Sequence, residues 1–170
     1  MFQDDHSSII KTVEEDLVRI LREAIKADIH VKDSFFTILG AGGGVNRHNH
    51  ISALDIDSSL NLINQKFSLV YYLSVGDQDC TEPGILKLYD PSENILPREG
   101  MIIIFPADRH HSVVYNGKKD RIIIGINFYS LWIYHEYDFK SIKAILSWYS
   151  HSNKYELLMG TSKIINMSFN

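Results

Sequence analysis

The chain has 170 residues, of which 45% are hydrophobic and 22% charged, the balance of a soluble globular protein built as one domain. Seventeen basic residues against 21 acidic ones leave a net charge of −4, which argues against a nucleic-acid or anionic-membrane partner. The single cysteine, Cys80, excludes an intrachain disulfide and any cysteine-built metal cluster, as suits a reducing cytoplasm.

A domain of this size buries about two-thirds of its unfolded surface, so its core alone can hold it together. The longest apolar runs reach about six residues, too short to cross a bilayer. No basic-then-apolar leader opens the chain, so a cytoplasmic location is expected. One compositional feature stands out. Of eight histidines, four fall in two tight groups, His48 with His50 and His110 with His111.

In chain order, the first element is an amphipathic helix over about Ser8 to Ala27. Ile9, Ile10, Val13, Leu17, Ile20, Leu21 and Ile25 recur at helical spacing. Thr12 and Glu15 form a possible capping box, which would move its start one turn later. From about residue 30 to 131 the pattern changes to short β-branched and aromatic runs. Candidate strands are Ser34 to Leu39, Phe67 to Val75, Gly84 to Tyr89, Met101 to Phe105, His111 to Tyr115 and Arg121 to Phe128. Asn116-Gly117 reads as the turn of a last hairpin. Many short strands without alternating helices indicate an antiparallel barrel or sandwich. A second helix is expected near Asp138 to Tyr149, and Leu157, Leu158, Met159, Ile164 and Ile165 predict a tail that packs. The whole reads as one domain, mainly β, with helical segments at about 8–27 and 138–170 flanking a barrel.

Two constellations carry chemistry. In an extended Arg47-His48-Asn49-His50, both histidines point to one face, about 6–7 Å apart along the strand. Neutral imidazoles so spaced can share a first-row metal ion. The second is Pro106-Ala107-Asp108-Arg109-His110-His111, where a strand ends and the next begins. Alternation sends His110 away from whatever His111 faces, which leaves His111 as a third ligand of an open, facial site. Arg121 follows ten residues later. An odd-length loop would bring it to the face of His111, and a strict two-residue turn would put it opposite; the sequence permits either. An inward Arg121 would suit a substrate carboxylate.

From Gly42 to Phe128 the chain resembles the 2-oxoglutarate- and iron(II)-dependent oxygenases of the double-stranded β-helix type, near their prolyl-4-hydroxylase-like branch. The resemblance rests on His48-Asn49-His50, Val70-Tyr71-Tyr72-Leu73, Pro83-Gly84-Ile85-Leu86, Pro97 to Pro106, His111-Ser112-Val113 and Arg121 to Phe128. It implies a jelly-roll, cupin-like barrel in which His48 and His111 bind Fe(II) and Arg121 holds the far carboxylate of 2-oxoglutarate. It further implies O2 as co-substrate and the release of succinate and CO2. The family's usual first motif is H-x-D or H-x-E, so His50 becomes the third ligand here, with Asp55 or Asp57 as the alternative carboxylate. Ile123 stands where many relatives carry Ser, and Tyr71 or Tyr72 could supply that hydroxyl.

The implied substrate is an amino acid, a peptide or a small metabolite. Two other readings share the barrel: a cupin-type three-histidine enzyme that does not use 2-oxoglutarate, and a non-catalytic binding module. The acidic turn Asp77 to Glu82 and the insertion Ser58 to Lys66 are expected at the entrance to the site.

Overall fold

The computed structural model describes residues 4–57, 62–131 and 163–166. One helix, α1 (Asp4–Ile25), precedes nine strands. These are β1 (Asp28–Leu39), β2 (Gly43–His48), β3 (Lys66–Ser74), β4 (Leu86–Leu88), β5 (Glu93–Ile95), β6 (Met101–Pro106), β7 (His111–Tyr115), β8 (Arg121–Leu131) and β9 (Lys163–Asn166). They form two sheets, ordered β1-β8-β3-β6-β9 and β2-β7-β4-β5, every pairing antiparallel. This is a jelly roll with a larger and a smaller sheet.

The side-chain period of two decides what each face buries. Along β8, Ile124, Ile126 and Phe128 point outward, beneath α1. Arg121, Ile123, Gly125 and Asn127 alternate with them and point between the sheets. In β6 both faces are covered. Ile102 and Ile104 pack under the helix, while Met101, Ile103 and Phe105 join Val70, Tyr72, Leu86, Leu88, Ile95 and Ile123 in the inter-sheet core. A strand buried on both faces reads as the unbroken apolar run seen in the sequence.

The helix begins at Asp4, earlier than the spacing of its apolar residues suggests and before the Thr12–Glu15 box. At the other end Lys26 adopts a positive φ of 54° and donates its N–H to Arg22 O at 2.8 Å, a left-handed stop. Leu17 and Leu21 are the helix residues driven into the sheet. Leu21 is fully buried, so Leu21→Ala is expected to cost about 2–5 kcal/mol in chemical denaturation.

Two features differ from the sequence-based expectation. Asn116-Gly117 does not close a hairpin: β7 pairs with β2 and β4 in one sheet, β8 with β1 and β3 in the other. The connection crosses between sheets, so loop-length parity no longer governs the faces of His111 and Arg121. The second is in β1, where the register with β8 shifts between Val31 and Asp33. Val31 therefore packs under α1 with Phe128, while Asp33 and Phe35 turn inward. A bulge re-aims side chains in this way.

In the tail, Lys163–Asn166 forms not part of the helical segment expected over about 138–170 but a strand, β9, on the edge of β6, since its apolar residues find backbone partners there. The expected helix at Asp138 to Tyr149 lies outside the described residues. Among the described residues, no helix is long and apolar enough to cross a membrane.

Candidate metal centre

β2 and β7 bring the histidines together. His48, the last residue of β2, pairs directly with His111, the first of β7. The backbone N–H of His50 donates to Ala107 O at 2.8 Å, which pins the turn after β2 against the end of β6. The rings of His48 and His111 lie 4.2 Å apart, and each is 5.0 Å from the ring of His50. One nitrogen from each of the three lies within 4.8 Å of the others. His50 Nε2 and His111 Nε2 are already 3.3 Å apart. Metal–imidazole bonds of about 2.0–2.1 Å place cis nitrogens about 3 Å apart, so this pair needs little movement to share an ion.

The outer nitrogens orient the rings. His48 Nδ1 lies 2.7 Å from Asn46 O, and His111 Nδ1 lies 3.2 Å from Arg109 O. A carbonyl only accepts, so both rings carry their proton on Nδ1 and turn a lone pair on Nε2 inward. Phe105 meets His111 edge-on at 4.8 Å. Phe35 stacks on His50 at 6.0 Å and lies so close over Gly125 that a Cβ there would fall 2.1 Å from its ring.

Burial pushes His50 and His111 down to about 4, with the neighbouring histidines adding to the effect. Both rings are then neutral donors at neutral pH, which is the form a metal takes. Three clustered imidazoles, two of them (His48 and His111) with Nε2 lone pairs turned inward, fit a first-row divalent ion with open positions.

The depressed values also set a pH dependence. The unfolded chain protonates these histidines near 6.5 and the folded one near 4, so the unfolded state binds more protons in between. Stability of the metal-free protein is complete above about pH 6.5 and falls as the pH drops towards 4. A melting-temperature series should show this fall, and His50→Gln with His111→Gln should flatten it.

Neither candidate carboxylate joins the cluster. Asp55 is buried in a network of its own. Its Oδ2 accepts from Lys66 Nζ at 2.7 Å and from the N–H and Oγ of Ser52, both at 2.6 Å; its Oδ1 accepts from Tyr129 at 2.6 Å. Burial alone would raise its pKa, but these bonds hold the carboxyl well below the usual range. Tyr129 is pushed up to about 12 by burial and by Asp55. Asp55 therefore anchors the loop that follows His50. Asp57 lies exposed on that loop. His110 stands outside the cluster, and its carbonyl accepts from Tyr89 N.

Arg121 opens β8 and is 2% exposed. Its guanidinium lies 5.1 Å over the Tyr72 ring. Gly84 lets it pass, since a Cβ there would meet its Cδ at 2.9 Å. Arg121 Nε and Tyr72 Oη are buried without a hydrogen-bond partner. Among the described residues, no carboxylate pairs with Arg121. Burial pushes Tyr72 up to about 12, partly offset by Arg121, and burial pulls Arg121 down. A buried cation with a spare donor is costly and calls for an anion. Alternation along β3 separates the two tyrosines: Tyr72 joins the inter-sheet core beside Arg121, whereas Tyr71 packs on the outer cluster beneath α1.

The acidic turn is tied to the crossover rather than left free. Asp77 N donates to the Tyr115 hydroxyl at 2.7 Å, and Asn116 N donates to Glu82 O at 2.8 Å.

Two solved structures share this fold. A 2OG-Fe(II) oxygenase-family oxidoreductase from Burkholderia pseudomallei aligns over 76% of this chain at 15% identity, with a TM-score of 0.55. A prolyl-4-hydroxylase from Pseudomonas putida aligns over 77% at 17% identity, with a TM-score of 0.51. The chain shares the fold of these two proteins. The chain spans 58% of the Burkholderia protein and 68% of the Pseudomonas hydroxylase. No protein-family model matches the sequence, and a search of curated proteins finds no significant match.

Asp33, Phe35 and Asn127 are absent from the sequence-based site. Asn127 left a signal: it is a polar residue in an apolar strand, an even number of positions from Arg121, and so on the same face. Asp33 and Phe35 left none, because the bulge that turns them inward has no signature in the sequence.

Proposed function

We propose that this protein is a 2-oxoglutarate- and iron(II)-dependent oxygenase that hydroxylates an amino acid, a peptide or a small metabolite, releasing succinate and CO2. The observation that carries this reading is Arg121, a buried guanidinium with no carboxylate partner among the described residues, on the inner face of the jelly roll that also holds three clustered imidazoles.

His48, His50 and His111 would hold the metal through ring nitrogens. Iron(II) bound there, with 2-oxoglutarate, supplies the oxygen activation that such a reaction needs. Arg121 would pair with the far carboxylate of the keto acid, while the Tyr72 hydroxyl donates to the same group. Tyr72 takes the role expected of the missing Ser at Ile123. The inter-sheet core keeps water from this end of the site, which strengthens the ion pair. Phe35 offers the reacting group an aromatic wall beside His50. The net negative charge supports a small-molecule or peptide substrate over nucleic acid.

The test is an anaerobic titration with iron(II) and 2-oxoglutarate, followed by a screen for succinate across free amino acids and peptides. Expected are one iron per chain and 2-oxoglutarate binding that requires it. Oxygen uptake indifferent to 2-oxoglutarate would favour a cupin-type enzyme. Failure to bind metal would leave a binding module.

A further inference from the structure

The third histidine is held differently from the other two. His48 and His111 each point Nδ1 at a carbonyl, but His50 Nδ1 lies 3.4 Å from the amide nitrogen of Asn127. An amide –NH2 only donates. Its orientation is set from behind, because Asn127 Nδ2 also donates to Asp33 Oδ1 at 2.6 Å. A carboxylate only accepts, so it keeps the –NH2 turned its way. Ser68 Oγ sits 2.7 Å from Asn127 Oδ1 and could serve either orientation, so Asp33 decides.

The polarity then runs one way through the cluster. Asn127 donates to Asp33 and faces His50 Nδ1 with its other N–H. His50 must therefore carry its proton on Nε2, which it donates to His111 Nε2 at 3.3 Å. His111 passes its own Nδ1–H to Arg109 O. Every donor in this chain meets an acceptor, but the Nε2 of His50 is occupied by a proton. Metal binding there needs the proton on Nδ1, where it would confront the amide N–H of Asn127.

We propose that Asp33, acting through Asn127, holds His50 in the tautomer that refuses a metal ion, and so sets the metal affinity of the three-histidine site. Asp33 is a positioning residue: its Oδ1 orients the amide and its Oδ2 faces Lys32 Nζ at 3.4 Å. Loading the site requires the amide to swap ends and present its oxygen to Nδ1–H. This inference rests on the metal reading above for its effect on affinity, though not for the tautomer itself.

The sign of the effect separates this device from simple electrostatics. Removing a negative charge near a cation site weakens binding. Releasing the tautomer strengthens it. Asp33→Asn supplies either a donor or an acceptor to Asn127 and keeps the shape, so the amide becomes free to turn.

The test uses the full chain, first metal-free at pH 7.5, with imidazole nitrogens read by 15N NMR. Wild type is expected to show His50 protonated on Nε2, and Asp33→Asn to move it towards Nδ1. Titration with cobalt(II) should then give about tenfold tighter binding in Asp33→Asn, the scale seen when groups behind a ligand are changed. In an Asn127→Leu background the same Asp33 change should have no such effect, since the linkage is gone. A wild-type His50 protonated on Nδ1, weaker or unchanged cobalt binding in Asp33→Asn, or an undiminished gain without Asn127 would overturn the proposal. The expected tautomers with no cobalt binding in any variant would instead overturn the metal reading and the affinity claim built on it, while the tautomer assignment stands.

Discussion

Asp55→Ala is expected to cost about 3–5 kcal/mol, the cost of stranding one member of a buried ion pair. Lys66 is 2% exposed and would keep its charge with no counter-ion, while Ser52 and Tyr129 would lose their acceptor as well. Against a total stability of about 5–15 kcal/mol, that loss brings the protein close to unfolding at room temperature. Urea denaturation measures it. Asp55→Ala combined with Lys66→Met should recover much of the loss, because the stranded charge disappears with the lysine. The loop after His50 would also lose its anchor, so cobalt affinity should fall together with stability. A variant that folds as well as wild type but takes up no metal would instead make Asp55 a ligand.

Arg121→Met should behave in the opposite way. Among the described residues the buried guanidinium has no carboxylate partner, so a hydrophobic side chain of similar length relieves a desolvation cost. The melting temperature of the metal-free protein should hold or rise. Binding of 2-oxoglutarate should collapse, by about 2–5 kcal/mol for loss of a buried charge partner, equivalent to roughly 30-fold to several thousand-fold at 1.4 kcal/mol per decade. Calorimetry with cobalt-loaded protein under nitrogen resolves this. A large drop in stability with undiminished 2-oxoglutarate affinity would mean that Arg121 is a structural residue.

The legible parts of this site are those that strands position. His48, His111 and Arg121 stand at strand ends next to strong β signals, where the period of two constrains direction. The jelly roll was legible for the same reason: β3, β6 and β8 are long and apolar enough to announce themselves, while β5 and the polar β2 carry little pattern of their own. Parity could not be read where the partner was unknown. Tyr71 and Tyr72 are adjacent on β3, and only the register with β8 shows which of them meets Arg121. Asp55 looked like a spare ligand because its partner Lys66 lies across a loop, beyond any local pattern. The crossover at Asn116-Gly117 has the residues of a hairpin turn; the choice of sheet is made by tertiary pairing.

The proposed ligand set of His48, His50 and His111 would have a consequence for charge balance. Three neutral imidazoles compensate none of the charge of a divalent ion, whereas a carboxylate in place of one would cancel half of it. A cation left at full charge is harder to oxidise further, since the trivalent state gains less from neutral ligands than from a carboxylate. It also attracts a dianionic chelator more strongly than a half-neutralised ion would. In the proposed oxygenase, His50 would thus leave a bound iron(II) ion at full charge, leaning on an anionic co-substrate for neutrality.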